Sequence, residues 1–265
     1  MKGFKVLVDA NILVSASIFY ASKEFGLKVG IKHRFYDKCK SLINLFRDRI
    51  DDKIGIYTKT IDIISNRVLR DAILRTIREA SQNDSKFDEK ILLEIFSIIY
   101  SESLRRLEEN KDCLVRETIN ETKINKIMTE VLVFFNVIIK KEIEKQNPKI
   151  EIERIKNIKA SSWIMKLSKS TKFDEARRSF PSYSTLKRKF IDSSPGIEDI
   201  ELLSQAIYFN ELYSKEQIKF YLASMDHHFV EIEKDGKINS FVPLLIKEKF
   251  SVDCLKPEKI LGLIK

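Results

Sequence analysis

At the two ends of the chain, the hydrophobic residues form two kinds of pattern, one typical of buried strands and one typical of helices. Four short apolar runs bounded by polar residues predict buried strands, at residues 4–9, 54–58, 219–224 and 250–255. Three segments with apolar residues at helical spacing predict helices, at residues 33–49, 60–80 and 200–212. Alternating strands and helices are typical of a parallel sheet with helices on both faces, so the predicted fold class is α/β.

The middle of the chain has a different pattern. From about residue 83 to residue 190 there is no clear strand candidate. Two segments there, 86–110 and 121–146, are strongly amphipathic at helical spacing, and an apolar strip at 155–167 suggests a third helix. We therefore predict three parts: residues 1–82 as the first part of an α/β domain, residues 83–190 as an all-helical insertion, and residues 191–265 as the second part.

The composition is that of a folded protein without a membrane span. Of its 265 residues, 43% are hydrophobic and 33% are charged, which argues against a disordered chain. No run of about 18 apolar residues occurs, and the N-terminus begins directly on a predicted strand, so we expect a cytoplasmic protein with no membrane partner. Three scattered cysteines are expected to be reduced, mostly buried thiols: Cys39, Cys113 and Cys254.

Basic charge is concentrated in one stretch of the chain. The net charge is +9, and residues 151–190 contain 11 Lys or Arg against 4 Asp or Glu. Aromatic residues are interleaved with these cations, a pattern in which aromatics stack on bases while cations hold phosphates. The alternative is a helix pair with a solvated basic face. The candidate nucleic-acid-binding residues are Lys172, Arg177, Arg178, Lys187, Arg188 and Lys189.

Three acids lie where predicted strands end or helices begin. Asp9 ends the first strand, Asp226 follows the strand at 219–224, and Asp199 opens a helix. Because the carboxyl ends of parallel strands share one edge of a sheet, we expect the three carboxylates to converge there. Clustered carboxylates repel one another unless a cation lies between them, and hard oxygen ligands select Mg²⁺ or Mn²⁺. Such a site suits phosphodiester hydrolysis; the alternative for each acid is a helix N-cap.

The segments that carry these acids resemble a known family. "VLVDANIL", "IEDIELLSQA" and "YLASMDHHF" look like the first, third and fourth acidic motifs of PIN-domain ribonucleases, and "FSVDCLKPEKIL" resembles the closing strand and tail of archaeal members. The resemblance covers the two predicted α/β parts and not the insertion. It implies a three-layer α/β/α fold with a central parallel sheet and cleavage of single-stranded RNA with Mg²⁺ or Mn²⁺. Carried over by position, it implies metal-binding, catalytic roles for Asp9, Asp199 and Asp226, with Asn11 and Ser224 as polar supports.

The second motif of the family is altered in this chain. The family has a Ser or Thr after the second strand and a Glu in the following helix, but Ile64 or Asn66 stands where that Glu would fall. The nearest acid is Asp62, one helix turn after Thr58. We predict that Asp62 substitutes as a catalytic acid and that Thr58 supports it.

Two rival functions are also compatible with the sequence. A degenerate second motif fits a non-catalytic RNA-binding or scaffold protein with a PIN-like fold. A phosphatase with Asp9 as its nucleophile usually needs a second acid two residues later, where this chain has Asn11. His227 and His228 are expected at the surface or at the rim of the site. The sequence leaves the oligomeric state open, a homodimer included.

Overall fold

A computed structural model of the protein describes residues 3–24, 33–83, 89–139, 195–226, 228–234, 237–239 and 241–264. Its centre is a five-stranded, all-parallel sheet with the strand order β3-β2-β1-β4-β7. The strands are β1 Phe4–Val8, β2 Gly55–Thr58, β3 Val115–Glu117, β4 Lys219–Ala223 and β7 Asp253–Leu255. The predicted three-layer α/β/α class is confirmed.

The strand order reverses direction beside β1. The chain builds outward from β1 through β2 to β3, and then returns to add β4 on the other side of β1. In open α/β sheets this reversal is the topological switch point, and ligands bind outside the carboxyl ends of the strands that flank it. Here the two flanking strands are β1 and β4.

Eight α-helices occur in the part of the chain that the structure describes. They are α1 Ala10–Glu24, α2 His33–Asp48, α3 Lys59–Asn83, α4 Glu89–Lys111, α5 Glu121–Val133, α6 Ile197–Lys215, α7 Phe241–Phe250 and α8 Pro257–Ile264. A π-helical stretch, Phe134–Ile139, follows α5, and a short antiparallel hairpin joins β5 Ile232–Lys234 to β6 Lys237–Asn239. The helices predicted at 33–49, 60–80 and 200–212 correspond to α2, α3 and α6.

The chain divides into two compact units. The first consists of Met1–Thr118, Ile218–Asp226 and Leu255–Lys265, and the second of Ile119–Gln217 and His227–Cys254. Within the first unit, α1 packs against α2, α3 and α4, and α8 packs against α2. Within the second unit, α5 packs against α6.

Strand β3 corrects the prediction that residues 83–190 contain no strand. Val115 of β3 pairs with Ile56 of β2, so the sheet extends into the segment that was predicted as an all-helical insertion. The first unit accordingly continues past the predicted boundary at residue 82, as far as Thr118. The strand escapes sequence analysis because it has three residues, two of them charged, and therefore shows no apolar run. Residues 84–88 and 140–190 of the predicted insertion lie outside the described residues.

Helix α1 was not predicted, because apolar residues dominate its first half. Its buried residues include Ala10, Ile12, Leu13 and Val14, which follow one another too closely to mark one apolar face at helical spacing. The hydroxyl of Ser17, also buried, donates a hydrogen bond to the carbonyl of Leu13 at 2.7 Å. The polar side chain is thereby satisfied inside the helix.

Two expectations about the chain as a whole can be compared with the structure. None of the described helices combines the length and the apolar character that crossing a bilayer requires. Cys39, Cys113 and Cys254 are free and buried, which confirms the predicted thiols.

Candidate active site

Asp9 and Ser224 meet at the switch point of the sheet. Val8 pairs with Ala223 at the carboxyl ends of β1 and β4, so the next residue of each strand lies beside the other. The hydroxyl of Ser224 donates a hydrogen bond to Oδ2 of Asp9 at 2.6 Å. Asp9 is 5% exposed and Ser224 is fully buried, so this short bond is shielded from water.

The other oxygen of Asp9 caps helix α1. The backbone N–H of Asn11 donates to Oδ1 of Asp9 at 3.3 Å, and α1 begins at the intervening Ala10. This bond satisfies one of the otherwise unpaired N–H groups in the first turn. The N-cap alternative for Asp9 is therefore real, and it coexists with the contact to Ser224. The same two bonds hold the carboxylate in one orientation.

Ser224 also links Asp9 to Asp226. The backbone N–H of Asp226 donates to the hydroxyl oxygen of Ser224 at 2.9 Å, while that hydroxyl donates to Asp9. The backbone N–H of Ser224 donates to the carbonyl of Leu255 at the end of β7, at 3.1 Å. Three of the predicted site residues thus lie together at the carboxyl edge of the sheet: Asp9, Ser224 and Asp226.

Thr58 and Asp62 lie at the same edge, next to the end of β2. Thr58 is fully buried, and its hydroxyl oxygen accepts a hydrogen bond from the N–H of Ile61 at 3.4 Å, which caps α3. Asp62 follows in the first turn of α3. The hydroxyl of Thr58, which was predicted to support Asp62, thus caps α3.

Asp62 forms ion pairs with two cations. The ammonium of Lys111, whose side chain is 4% exposed, lies 2.6 Å from Oδ1 of Asp62, and the guanidinium of Arg116 lies 3.7 Å from Oδ2. Glu108 is a second partner of Lys111, at 2.7 Å. Burial alone would lower the pKa of Lys111, but its hydrogen bonds to Asp62 and Glu108 raise that pKa overall. Asp62 therefore compensates a buried positive charge, and its catalytic role stays a prediction.

The charge of Asp9, at the end of β1, contributes to a raised pKa of the Cys39 thiol. The pKa of Cys39 is raised to about 12, first by burial and then by the charges of Glu258 and Asp9. The pKa of Tyr57, on β2, is also raised, first by burial and then by the charge of Asp62. Both shifts follow from desolvation with added repulsion between anions.

In the second unit, Asp199 is the third residue of α6 and accepts a hydrogen bond at the helix start. The N–H of Gly196 donates to its Oδ2 at 2.7 Å. Nδ1 of His228 lies 3.4 Å from the same oxygen. His228 is only 7% exposed, so it does not lie at the surface, which was one of the two positions expected for it; a position at the rim of the site stays a prediction. The sequence offered one signal for it, since His228 comes two residues after Asp226.

The other predicted residues belong to different units of the chain or lie outside the described residues. Asp199 belongs to the second unit and Asp9 and Asp226 to the first, so their convergence on a common point stays a prediction. His227 lies outside the described residues, and so does the whole basic stretch, with Lys172, Arg177, Arg178, Lys187, Arg188 and Lys189.

Comparison of the chain with models of protein families, with curated proteins and with solved structures gave no match. The resemblance to PIN-domain ribonucleases therefore rests on the sequence motifs and stays a prediction.

Proposed function

We propose that this protein is a metal-dependent endoribonuclease that hydrolyses phosphodiester bonds in single-stranded RNA. In this proposal Asp9, Asp199 and Asp226 hold Mg²⁺ or Mn²⁺. The observation that carries it is the chain of hydrogen bonds from Asp226 through Ser224 to Asp9, at the switch point of the parallel sheet. That is where sheets of this kind bind their ligands.

The donor atoms at this edge fit a hard divalent cation. Asp9 offers carboxylate oxygens that a hydroxyl and a backbone N–H hold in place, and neither donor carries a positive charge. Carboxylate oxygens such as those of Asp9 are the hard ligands that Mg²⁺ prefers. When bound, such an ion neutralises charge on the phosphodiester and lowers the pKa of the attacking water. Ser224 and Asn11 fix the carboxylate beforehand, so little reorganisation is needed at that step.

The choice of RNA as substrate is supported by the localised basic charge of residues 151–190. Replacing Arg177, Arg178, Lys187, Arg188 and Lys189 by Ala should flatten the slope of log affinity against log salt by about three to four, at roughly 0.7 per phosphate contact for single strands. An unchanged slope would show that the stretch is a solvated surface. We also propose a cytoplasmic location, which the three free thiols support because reduced cysteines are usual there.

A non-catalytic RNA-binding or scaffold protein is the second candidate. The observation that favours it is the pairing of Asp62 with Lys111 and Arg116, which occupies the nearest substitute for the second acid of the family. This candidate predicts RNA binding without cleavage.

The test is cleavage of labelled single-stranded RNA by the purified full-length protein. We expect internal cuts with Mn²⁺ or Mg²⁺, none with chelator, and none with Asp9→Asn. The matched control is Asp37→Asn, an exposed acid of α2, which should cleave at the wild-type rate. Tight RNA binding with no metal-dependent cleavage would favour the scaffold protein instead.

A further inference from the structure

His228 is a buried imidazole held in a fixed place within the second unit. Its side chain is 8% exposed, and its ring meets that of Phe229 edge to face, with centroids 6.5 Å apart. A histidine at the rim of a site would adopt several orientations in water. A packed ring presents its nitrogens in one direction, which is what a metal ligand requires.

Its neighbour Asp199 has ligand capacity to spare. The contacts described for Asp199, with Gly196 and with His228, both involve Oδ2. Its Oδ1 makes no hydrogen bond or ion pair with any residue that the structure describes. The Gly196 bond orients the carboxylate and leaves Oδ1, together with a lone pair of Oδ2, for another partner.

The separation of the two groups suits a shared cation better than a direct hydrogen bond. Nδ1 of His228 and Oδ2 of Asp199 are 3.4 Å apart. This exceeds the usual N–H···O range of about 2.7–3.2 Å. Two ligands about 2.1 Å from one octahedral ion, at right angles, lie about 3 Å apart, so a small movement would complete such a geometry.

We propose that His228 is a nitrogen ligand of the ion held by Asp199, and that the site therefore prefers Mn²⁺ to Mg²⁺. The inference rests on the proposed function, since it assumes that Asp199 binds a metal. Mg²⁺ takes oxygen ligands almost exclusively, whereas imidazole nitrogen strengthens binding of transition-metal dications. His228 thus adds a selectivity to the site that its carboxylates alone would not provide.

The direct test uses the wild-type protein loaded with Mn²⁺. Pulsed electron paramagnetic resonance should show hyperfine coupling from a coordinated ¹⁴N nucleus, and His228→Gln should abolish that coupling. Gln replaces the nitrogen donor by an amide oxygen, so the Mn²⁺ affinity of His228→Gln in calorimetry should fall about tenfold or more, while its Mg²⁺ affinity stays within about twofold. The matched control is His33→Gln, in the first unit, which should leave both affinities and the coupling unchanged.

The failure of this inference can be distinguished from the failure of the proposed function. Mn²⁺ binding without nitrogen coupling, or with coupling that persists in His228→Gln, overturns the role of His228 and leaves the nuclease proposal standing. The wild-type spectrum decides the matter even if His228→Gln fails to fold. Wild-type protein that binds neither Mn²⁺ nor Mg²⁺ contradicts both.

Discussion

Two carboxylates at the carboxyl edge of the same sheet have opposite surroundings. Asp9, after β1, accepts hydrogen bonds from the hydroxyl of Ser224 and the N–H of Asn11. Asp62, after β2, faces the ammonium of Lys111 and the guanidinium of Arg116. The two donors to Asp9 are neutral and orient its carboxylate, whereas both partners of Asp62 are cations that offset its charge.

The difference shows why position on a sheet edge does not by itself identify a ligand. Both acids come at or just after a strand end, and both are next to a capped helix start. If Asp62 turned to bind a metal, the buried ammonium of Lys111 would lose one of its two anionic partners and keep only Glu108. We therefore expect Asp9 to act in catalysis and Asp62 to act in stability, and the following substitutions test that division.

The largest effect is expected from Asp9→Asn on catalysis. Loss of an anionic ligand should reduce the cleavage rate by more than about a thousandfold, because the metal supplies both charge neutralisation and the activated water. The fold should survive, since Asn is a good N-cap and its side-chain oxygen can still accept from Asn11. Circular dichroism and thermal unfolding without metal check this point. A sharp loss of thermal stability would make Asp9 a structural cap.

Ser224→Ala should have an intermediate effect. Removing the hydroxyl frees one oxygen of Asp9 and leaves the N–H of Asp226 without its acceptor, so the cleavage rate should fall about 10–100-fold, as for other groups that orient metal ligands. The matched control is Ser65→Ala, where an equally buried hydroxyl donates to the Ile61 carbonyl within α3. Equal cleavage rates for Ser224→Ala and Ser65→Ala would show that Ser224 has no role in the site.

Asp62→Asn should lower the free energy of unfolding and leave cleavage nearly unchanged. Lys111 would keep Glu108 as its anionic partner, so we expect a loss of about 1–3 kcal/mol, below the full effect of breaking a buried pair. The control is Asp71→Asn, on the same helix, whose exposed pair with Arg70 should contribute less than about 1 kcal/mol. Urea unfolding measures both. Loss of cleavage in Asp62→Asn with an unchanged free energy of unfolding would show that Asp62 acts in catalysis and not in stability.

The smallest effect concerns Cys39 and alkaline pH. Its folded pKa of about 12 lies above its ordinary value of 9.0, so above pH 9 the unfolded thiol ionises while the folded thiol keeps its proton. Stability is thus fully present below pH 9 and falls as the pH rises. Between pH 8 and pH 10 this thiol should account for a loss of roughly 1 kcal/mol in the free energy of unfolding.

The measurement compares wild-type protein with Cys39→Ala at each pH. The stability difference between them should shrink by that amount, because Ala does not titrate. Val14→Ala also removes buried apolar volume but no titrating group, so its difference from wild type should not change with pH. A constant difference for Cys39→Ala would mean that the thiol ionises in the folded protein.

The sequence predicted the parts of the fold whose periodicity is visible along the chain. Strands β1, β2 and β4 are apolar runs that end in polar residues, and helices α2, α3 and α6 repeat their apolar positions. It missed α1, whose first half is mostly apolar, and β3, which is too short and too charged to form a pattern. Both elements depend on contacts with residues far away in the sequence: β3 pairs with β2, and α1 packs against α2, α3 and α4.

In the candidate site, too, some features could be predicted from the sequence and others could not. The acids at strand ends could be identified because the carboxyl edge of a parallel sheet is predictable from topology. The partners of Asp62 could not, because Lys111 lies 49 residues further along the chain and no local pattern connects the two. The burial of His228 likewise was not predicted, although the apolar residues Phe229 and Val230 follow it directly and are buried as well.

The central claim is that a metal ion binds at Asp9 and not at Asp62. It is tested most directly by calorimetric titration of Mn²⁺ into wild-type protein, Asp9→Asn and Asp62→Asn under identical conditions. We predict that Asp9→Asn weakens Mn²⁺ binding at least about a hundredfold, while Asp62→Asn binds Mn²⁺ within about twofold of wild type. Wild-type affinity in Asp9→Asn, or a loss in Asp62→Asn as large as that predicted for Asp9→Asn, would contradict the account.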